Sequence, residues 1–388
     1  MKPLLKYAIL SLSLLTIVST TAVSPALAEI AAYFSSSDIY LVQLVVVLHA
    51  FAIVPSLGAA IWLAERFSRK KVLLAGLVIF TLSGILGGVV SNIYILLFFR
   101  LALGVGLGMV IPFSTSLIAD YFEDAEKQKM MGLSSSLNMI GGMFALILSG
   151  YMTLVSWRLP FIIYLCGLPV FFLIFKALPD DRGKEGKIEE THARFPMHVY
   201  QVAFIMLLFS TLFFILTPTM ALFLKSSGLG DSRMAGFAIA FTTCLGALSG
   251  FVLPRTLKLT GKFFLPVMLA ITSIGFLFLH FSTFMGMVFT GSALIGFSNR
   301  SMYPIFFHKA TQGVPAQYSA RATAIVTATI YIGQFLAPLF QRLVGSLFHN
   351  PTARFLYLFV AVITVIGVIL LLINMLLNKD RSPQFIGE

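Results

Sequence analysis

Long, nearly uninterrupted apolar runs joined by short basic turns leave this chain few ways to fold. Residues 39–63 and 72–91 are two such runs, and they flank the turn Leu63-Ala64-Glu65-Arg66-Phe67-Ser68-Arg69-Lys70-Lys71. A helix on the surface of a soluble domain keeps a polar face toward water, and runs of this kind have none. A bilayer accepts them, because a spanning helix needs about 20 apolar residues in succession. Composition agrees: the chain is 58% hydrophobic and 11% charged, whereas soluble domains carry roughly a quarter charged residues. At about 30 residues per span and connection, its 388 residues amount to roughly twelve or thirteen spans.

The start of the chain imitates a signal peptide. Lys2 and Lys6 precede an apolar stretch, and Ala26-Leu27-Ala28 forms an A-x-A site before Glu29. The apolar run continues past that site to Phe34, so the segment reads as an uncleaved first helix. Further spans are expected near 39–64, 72–91, 94–119, 130–155 and 159–178. After a charged segment, the next fall near 197–224, 234–253, 263–281, 285–307, 322–347 and 355–378. The expected organisation is an N-terminal six-helix bundle (1–178), a cytoplasmic linker (179–196) and a C-terminal six-helix bundle (197–388). With the N-terminus inside, the cytoplasmic segments hold 20 of the 27 basic residues, the outer loops hold Arg158, Lys225, Arg233 and Arg354, and the spans hold Arg100, Arg300 and Arg342. That bias places both termini in the cytoplasm, because Lys and Arg resist translocation. The basic stretch 253–262 reads as a second-half counterpart of the turn at 63–71.

The turn at 63–71 resembles the loop between helices 2 and 3 of the major facilitator superfamily, roughly G-x-L-A-D-R-x-G-R-K. Leu63, Ala64, Arg66, Arg69 and Lys70 match it, while Ile61, Glu65 and Ser68 replace its first glycine, its aspartate and its second glycine. Arg100, ahead of Gly104, Gly106 and Gly108, resembles the helix 4 pattern R-x-x-x-G-x-G, which in exporters of the family is linked to proton coupling. The segment at 24–30 looks like the end of helix 1 in bacterial exporters of the family, and that at 331–338 like its counterpart in sugar-efflux-like and drug-efflux-like members. Along the whole chain the resemblance is to the bacterial drug-efflux-like branch, the drug–proton antiporters. The resemblance implies an all-α membrane protein of 12 transmembrane helices in two pseudo-symmetric bundles, and a proton gradient as the energy source, with no cofactor. It also implies a conformational-switch latch formed by Glu65, Arg66, Arg69 and Lys70. Two family features are absent. The aspartate four residues before the helix 1 proline is Thr21 here, and the helix 5 Gly-Pro pattern would fall near Ala145.

None of the 15 acidic residues lies in the middle of an expected span. Burying a lipophilic cation without a carboxylate is costly, so neutral or anionic substrates fit better than cationic drugs. An arginine inside a span faces a partner or a wet cavity. Arg100 therefore reads as a coupling group or as a prop bonded to backbone carbonyls, and Arg300 as an anion counter-charge or a structural anchor. His49, whose side chain titrates near neutrality in water, Glu29 and Asp120 are the other coupling candidates, with a packing role the alternative for His49. Asn138, Asn299, Tyr331 and Gln334 are polar groups at membrane depth that either line a cavity or bond between helices.

The basic residues cluster at span ends and form no nucleic-acid-binding face. The chain has no P-loop and no His/Cys cluster with metal-ligand spacing, and Cys166 and Cys244 read as small apolar residues inside spans. The expectation is a non-enzymatic, monomeric, multi-pass protein of a bacterial cytoplasmic membrane that moves a small organic substrate across the lipid bilayer by alternating access. Proton-coupled export is the leading reading. An organic-anion importer or facilitator, a lipid flippase-like protein and a sensor are the alternatives.

Overall fold

The computed structural model describes residues 3–180 and 196–377. The linker expected at 179–196 lies outside the described residues except at its edges, and so do both chain ends. The described chain folds into helices, α1 (Pro3–Thr21) to α14 (Ala353–Leu377). A 3-10 turn at Ser24–Ala26 joins α1 to α2 (Leu27–Tyr33), and together they make the first span. Then come α3 (Ile39–Arg66), α4 (Arg69–Leu86), α5 (Ile93–Tyr121) and α6 (Asp124–Val155). The sixth span opens as a 3-10 stretch, Leu159–Cys166, and continues as α7 (Gly167–Ala177). The seventh is broken into α8 (Met197–Phe213) and α9 (Leu216–Ser227). α10 (Ser232–Thr260), α11 (Phe264–His280), α12 (Met285–Thr311) and α13 (Ala316–Leu347) precede α14.

Nine helical stretches among the described residues are long and apolar enough to cross a bilayer, and one of them, 232–280, holds both α10 and α11. α4, with Arg69, Lys70 and Lys71 in its first turn, and α12, with Asn299 and Arg300, complete twelve spans. Polar caps set several starts. Asp38 accepts from Tyr40 N, Asn92 from Tyr94 N and Asp231 from Arg233 N, each satisfying a first-turn amide that the helix leaves open. The Arg233 side chain bonded to Asp231, together with the Met234 and Arg233 amides, holds that carboxyl below the usual carboxylate range.

One expectation needs correction. The basic stretch 253–262 is not a loop, because α10 runs through it to Thr260. Pro254 removes only its own donor, and the helix continues past it to a stop signal that comes later. That signal is Gly261, at φ +49°.

The two halves repeat one arrangement. α5 lies between α3 and α4, and α12 lies between α10 and α11. Glycines allow the approach: a Cβ on Gly104 would sit 2.2 Å from the His49 carbonyl oxygen, and one on Gly296 would sit 2.0 Å from that of Thr242. Gly108 presses on Ser56 of α3 in the same way, while Gly106 turns toward Phe80 of α4. The halves meet where α6 packs on α10 and α3 on α13.

This packing predicts that Gly296→Ala lowers stability by about 1–3 kcal/mol, the usual cost of overpacking a tight contact. Gly132→Ala, with nothing within 4 Å of its Cβ, should leave melting in detergent unchanged. Equal melting temperatures for the two variants would refute the contact.

Candidate functional site

The end of the molecule bearing Arg66, Arg69, Lys70 and Lys71 is called the basic end below, and the opposite end the far end. Between them, about midway, a cavity of about 330 Å³ is lined from both halves. α1 contributes Ser13, Thr16 and Ile17, α5 contributes Ser114 and Thr115, and α6 contributes Ser134, Ser135, Asn138 and Met139. The other half contributes Thr243 of α10, Arg300 of α12 and Tyr331 of α13. Arg300 is the one charged residue in the lining, which contains no carboxylate and no phenylalanine.

Arg300 differs from the other cations outside the basic clusters. Arg158 donates to the Val90 carbonyl and the Tyr33 and Ser91 hydroxyls, and Arg354 to the His280 and Ser282 carbonyls. Arg233 pairs with Asp231, Lys225 with Glu29 and Arg342 with Asp38. Arg300 has no ion-pair partner among the described residues, and its guanidinium lies 5.5 Å from the Tyr303 ring centroid. Gly246 makes room for it, since a Cβ there would lie 2.6 Å from the Arg300 Cγ. The cation is thereby held against α10 and turned to the cavity.

Arg100 does not line the cavity. It is 1% exposed, which rules out snorkelling to the surface. Its guanidinium donates to the Tyr164 hydroxyl at 2.6 Å and to the Ser19 carbonyl at 3.2 Å, and lies 3.5 Å from His49 Nδ1. Tyr164 in turn donates to the Ser19 carbonyl. Arg100 and His49, two of the sequence candidates, thus belong to one buried network that ties α1, α3, α5 and the sixth span together.

Asn138 lines the cavity while donating to the Ser13 carbonyl and Thr16 Oγ1, and Tyr331 lines it from α13. Asn299 and Gln334 are buried outside the lining, with Asn299 against the Tyr303 hydroxyl. Asp120 is ion-paired with Arg69 and ties the end of α5 to the start of α4. Arg66 stacks on the Trp62 ring at 3.9 Å, and Lys70 lies over Phe175. Glu65 has no ion-pair partner among the described residues.

Glu29 sits at the far end, where it bridges the halves through Lys225 at 2.7 Å. Asp38–Arg342 at 2.9 Å and Gln43–Gln341 at 2.8 Å cross between the halves at the same end, and Gly150 of α6 packs against Ser232 and Arg233 of α10 there. At the basic end, the facing stretches 124–140 and 247–260 are largely exposed, with open space beside Gly132 and Gly250. The molecule is closed at the far end and open at the basic end.

Sequence reading missed these far-end pairs and the hydroxyls of the cavity wall. The hydroxyls had a signal: Ser13 with Thr16, and Ser134 and Ser135 with Asn138, recur three or four residues apart inside otherwise apolar helices.

Twelve spans in two like halves around a shared cavity are the layout found in transporters built from structural repeats. The chain belongs to the Major Facilitator Superfamily, whose family model matches residues 9–338. It is similar to the quinolone resistance protein NorA of Staphylococcus aureus, 33% identical over 99 residues that make up 26% of each chain. It is also similar to the uncharacterized MFS-type transporter EfpA of Mycobacterium tuberculosis, 28% identical over 133 residues, or 34% of this chain and 25% of that one. Each match spans about a quarter of the curated relative's length. Among solved structures, a bacterial homolog of the human lysosomal transporter Spinster, inward-facing and unoccupied, superposes with a TM-score of 0.72 at 16% identity over 96% of both chains. The nucleoside transporter NupG gives 0.76 at 13% identity, covering 96% of this chain and 99% of that one. At such identities the likeness establishes the fold.

Two outcomes follow. Tyr164→Phe should cost about 1–3 kcal/mol, because it removes a buried partner of a guanidinium, and should lower the melting temperature in detergent. Opening the far end by combining Glu29→Gln with Asp38→Asn should raise labelling of Ser135→Cys by an impermeant thiol reagent applied from that end, in a Cys166→Ser/Cys244→Ser background. The expected rise is about fivefold per kcal/mol of closure lost, and unchanged labelling would show that these pairs do not hold the gate.

Proposed function

We propose that this transporter exports a small neutral or anionic organic compound from the cytoplasm by alternating access, driven by inward proton flow. The observation that carries this reading is the cavity shared by both halves, whose lining holds the Arg300 cation and no carboxylate. A cationic substrate would enter a site with a like charge and nothing to neutralise it. The positive-inside bias supports a cytoplasmic position for the basic end; the cavity would then face the compartment from which an exporter loads. The membrane potential, negative inside, favours the exit of an anion by about 2.3 kcal/mol per charge per 100 mV.

The two six-helix halves rock as units about the cavity. Arg69–Asp120 and the neighbouring basic turn belong to the basic-end latch, and Glu29–Lys225 with Asp38–Arg342 to its far-end counterpart. Glu29, paired with Lys225 at the far end, and Asp120, paired with Arg69 at the basic end, are the groups proposed to take the coupled proton, since a proton on His49 would face the Arg100 guanidinium. Because no carboxylate lines the cavity, passive facilitation of an organic anion is the competing reading, and it would rest on Arg300 alone.

The test is dissipation of a pH gradient in energised inverted vesicles containing the purified protein, against panels of anionic, neutral and cationic compounds. Anions or neutral compounds should collapse the gradient, with the anion response lost in Arg300→Ala. Responses to lipophilic cations alone would overturn the substrate reading. Movement of an anion down its own gradient without proton flux would establish the facilitator.

A further inference from the structure

The two walls of the cavity differ in chemistry, and the difference narrows the substrate class. On the C-terminal side stand Arg300, a cation without an ion-pair partner among the described residues, the Tyr331 ring and hydroxyl, and Thr243, whose hydroxyl is spent on the Ile239 carbonyl. On the N-terminal side the wall is made of small hydroxyls and one amide, and much of its hydrogen-bonding capacity is unspent. Thr115 and Ser135 are exposed to the cavity, and no hydrogen-bond partner holds them among the described residues. Ser13 and Ser134 bond each other, which leaves the accepting hydroxyl's own hydrogen free to donate. Asn138 commits its amide hydrogens to α1, so its Oδ1 remains to accept. A wall that both donates and accepts matches groups that do the same, and those are hydroxyls.

Cavities for apolar ligands are lined mainly by hydrophobic and aromatic side chains. This chain has 38 phenylalanines, yet none lines the cavity, whose apolar members are Ile17 and Met139. The charge count limits the anion as well. One guanidinium neutralises one carboxylate bidentately, whereas a phosphate monoester carries close to two charges at neutral pH and would leave one uncompensated. The volume, about 330 Å³, is at the small end of ligand sites.

Building on the proposed transport of neutral or anionic compounds, we propose that the substrate is a small polyhydroxylated monocarboxylate of the sugar-acid type. Its carboxylate pairs with Arg300, and its hydroxyls face the Ser/Thr wall of α1, α5 and α6. The orientation follows from the fold: the charged end is carried by one half and the polyol end by the other, so a bound molecule bridges the two bodies that must move.

The test is calorimetric binding to the purified full-length protein in detergent. The probes are D-gluconate, hexanoate as a carboxylate of like length without hydroxyls, D-sorbitol as a polyol without charge, and tetraphenylphosphonium as a lipophilic cation. D-gluconate should bind at least tenfold more tightly than hexanoate or sorbitol. Arg300→Gln should lose that preference over sorbitol, Arg300→Lys should restore part of it, and Thr115→Val with Ser135→Ala should weaken gluconate several-fold more than hexanoate. A melting curve on each variant establishes that it folds. Equal binding of hexanoate and gluconate would overturn the hydroxyl assignment while leaving anion transport standing. Equal binding of sorbitol and gluconate would overturn the carboxylate assignment and leave a neutral substrate. Binding of tetraphenylphosphonium alone would overturn both this inference and the proposed function, and absence of heat with gluconate would overturn this inference.

Discussion

The close approach of α5 to α3, and of α12 to α10, is the contact on which the rest of the structure depends. In a bilayer, lipid tails are as apolar as leucine, so helices associate through packing at small residues. Gly104 seated on the His49 carbonyl and Gly296 seated on that of Thr242 are the same contact made once in each half. Taking these glycines as equivalent points aligns Arg100, four residues before Gly104, with Ser292, and Arg300, four residues after Gly296, with Gly108. The two arginines are thus displaced by eight residues, about 12 Å along a helix axis. In the N-terminal half that displacement places the cation among Tyr164, Ser19 and His49; in the C-terminal half it places the cation at the cavity. One scaffold repeated with one residue moved leaves one arginine buried in a hydrogen-bonded network and the other lining the cavity.

Much of this was legible in the sequence, for reasons that also mark where legibility stopped. The spans could be read because a bilayer imposes a length and a composition on each helix, and the basic turns could be read because translocation sorts charge. Both are local constraints. The break between α8 and α9 has its mark in Pro218, in the first turn of α9, which cannot donate to the Phe214 carbonyl four residues back; hydropathy alone runs through it, because the flanking residues are as apolar as the rest. The continuation of α10 past Pro254 was missed because a proline in an isolated stretch looks like a stop, whereas the stop is Gly261. Gln43 and Gln341 lie 298 positions apart, and nothing near either of them announces the other. Arg100 and Arg300 could both be picked out as intramembrane cations, but which of them meets the cavity is a matter of the depth and facing of a helix, and that emerges only once the glycine contacts fix the helices against one another.

The distribution of strong and weak contacts suits a molecule that must change shape. Within each half, backbone meets backbone at glycines, and buried groups such as Tyr357 with Thr219 bond across helices; such contacts have little room to slide. Between the halves, the far-end pairs Glu29–Lys225 and Asp38–Arg342 have side chains 40–57% exposed, and exposed pairs are worth about 0–1 kcal/mol each. A gate of that strength biases an equilibrium without locking it. The proposed alternating access would need this, because a state stabilised by several kcal/mol at one end would trap the molecule there. The helices that meet between halves, α6 with α10 and α3 with α13, run past the cavity from the gate to the open end. On the proposed function, a substrate held between Arg300 and the α6 hydroxyls would pull on the very elements whose separation defines the open end, which would give its binding energy a direct mechanical path to closing that end as the far end is released.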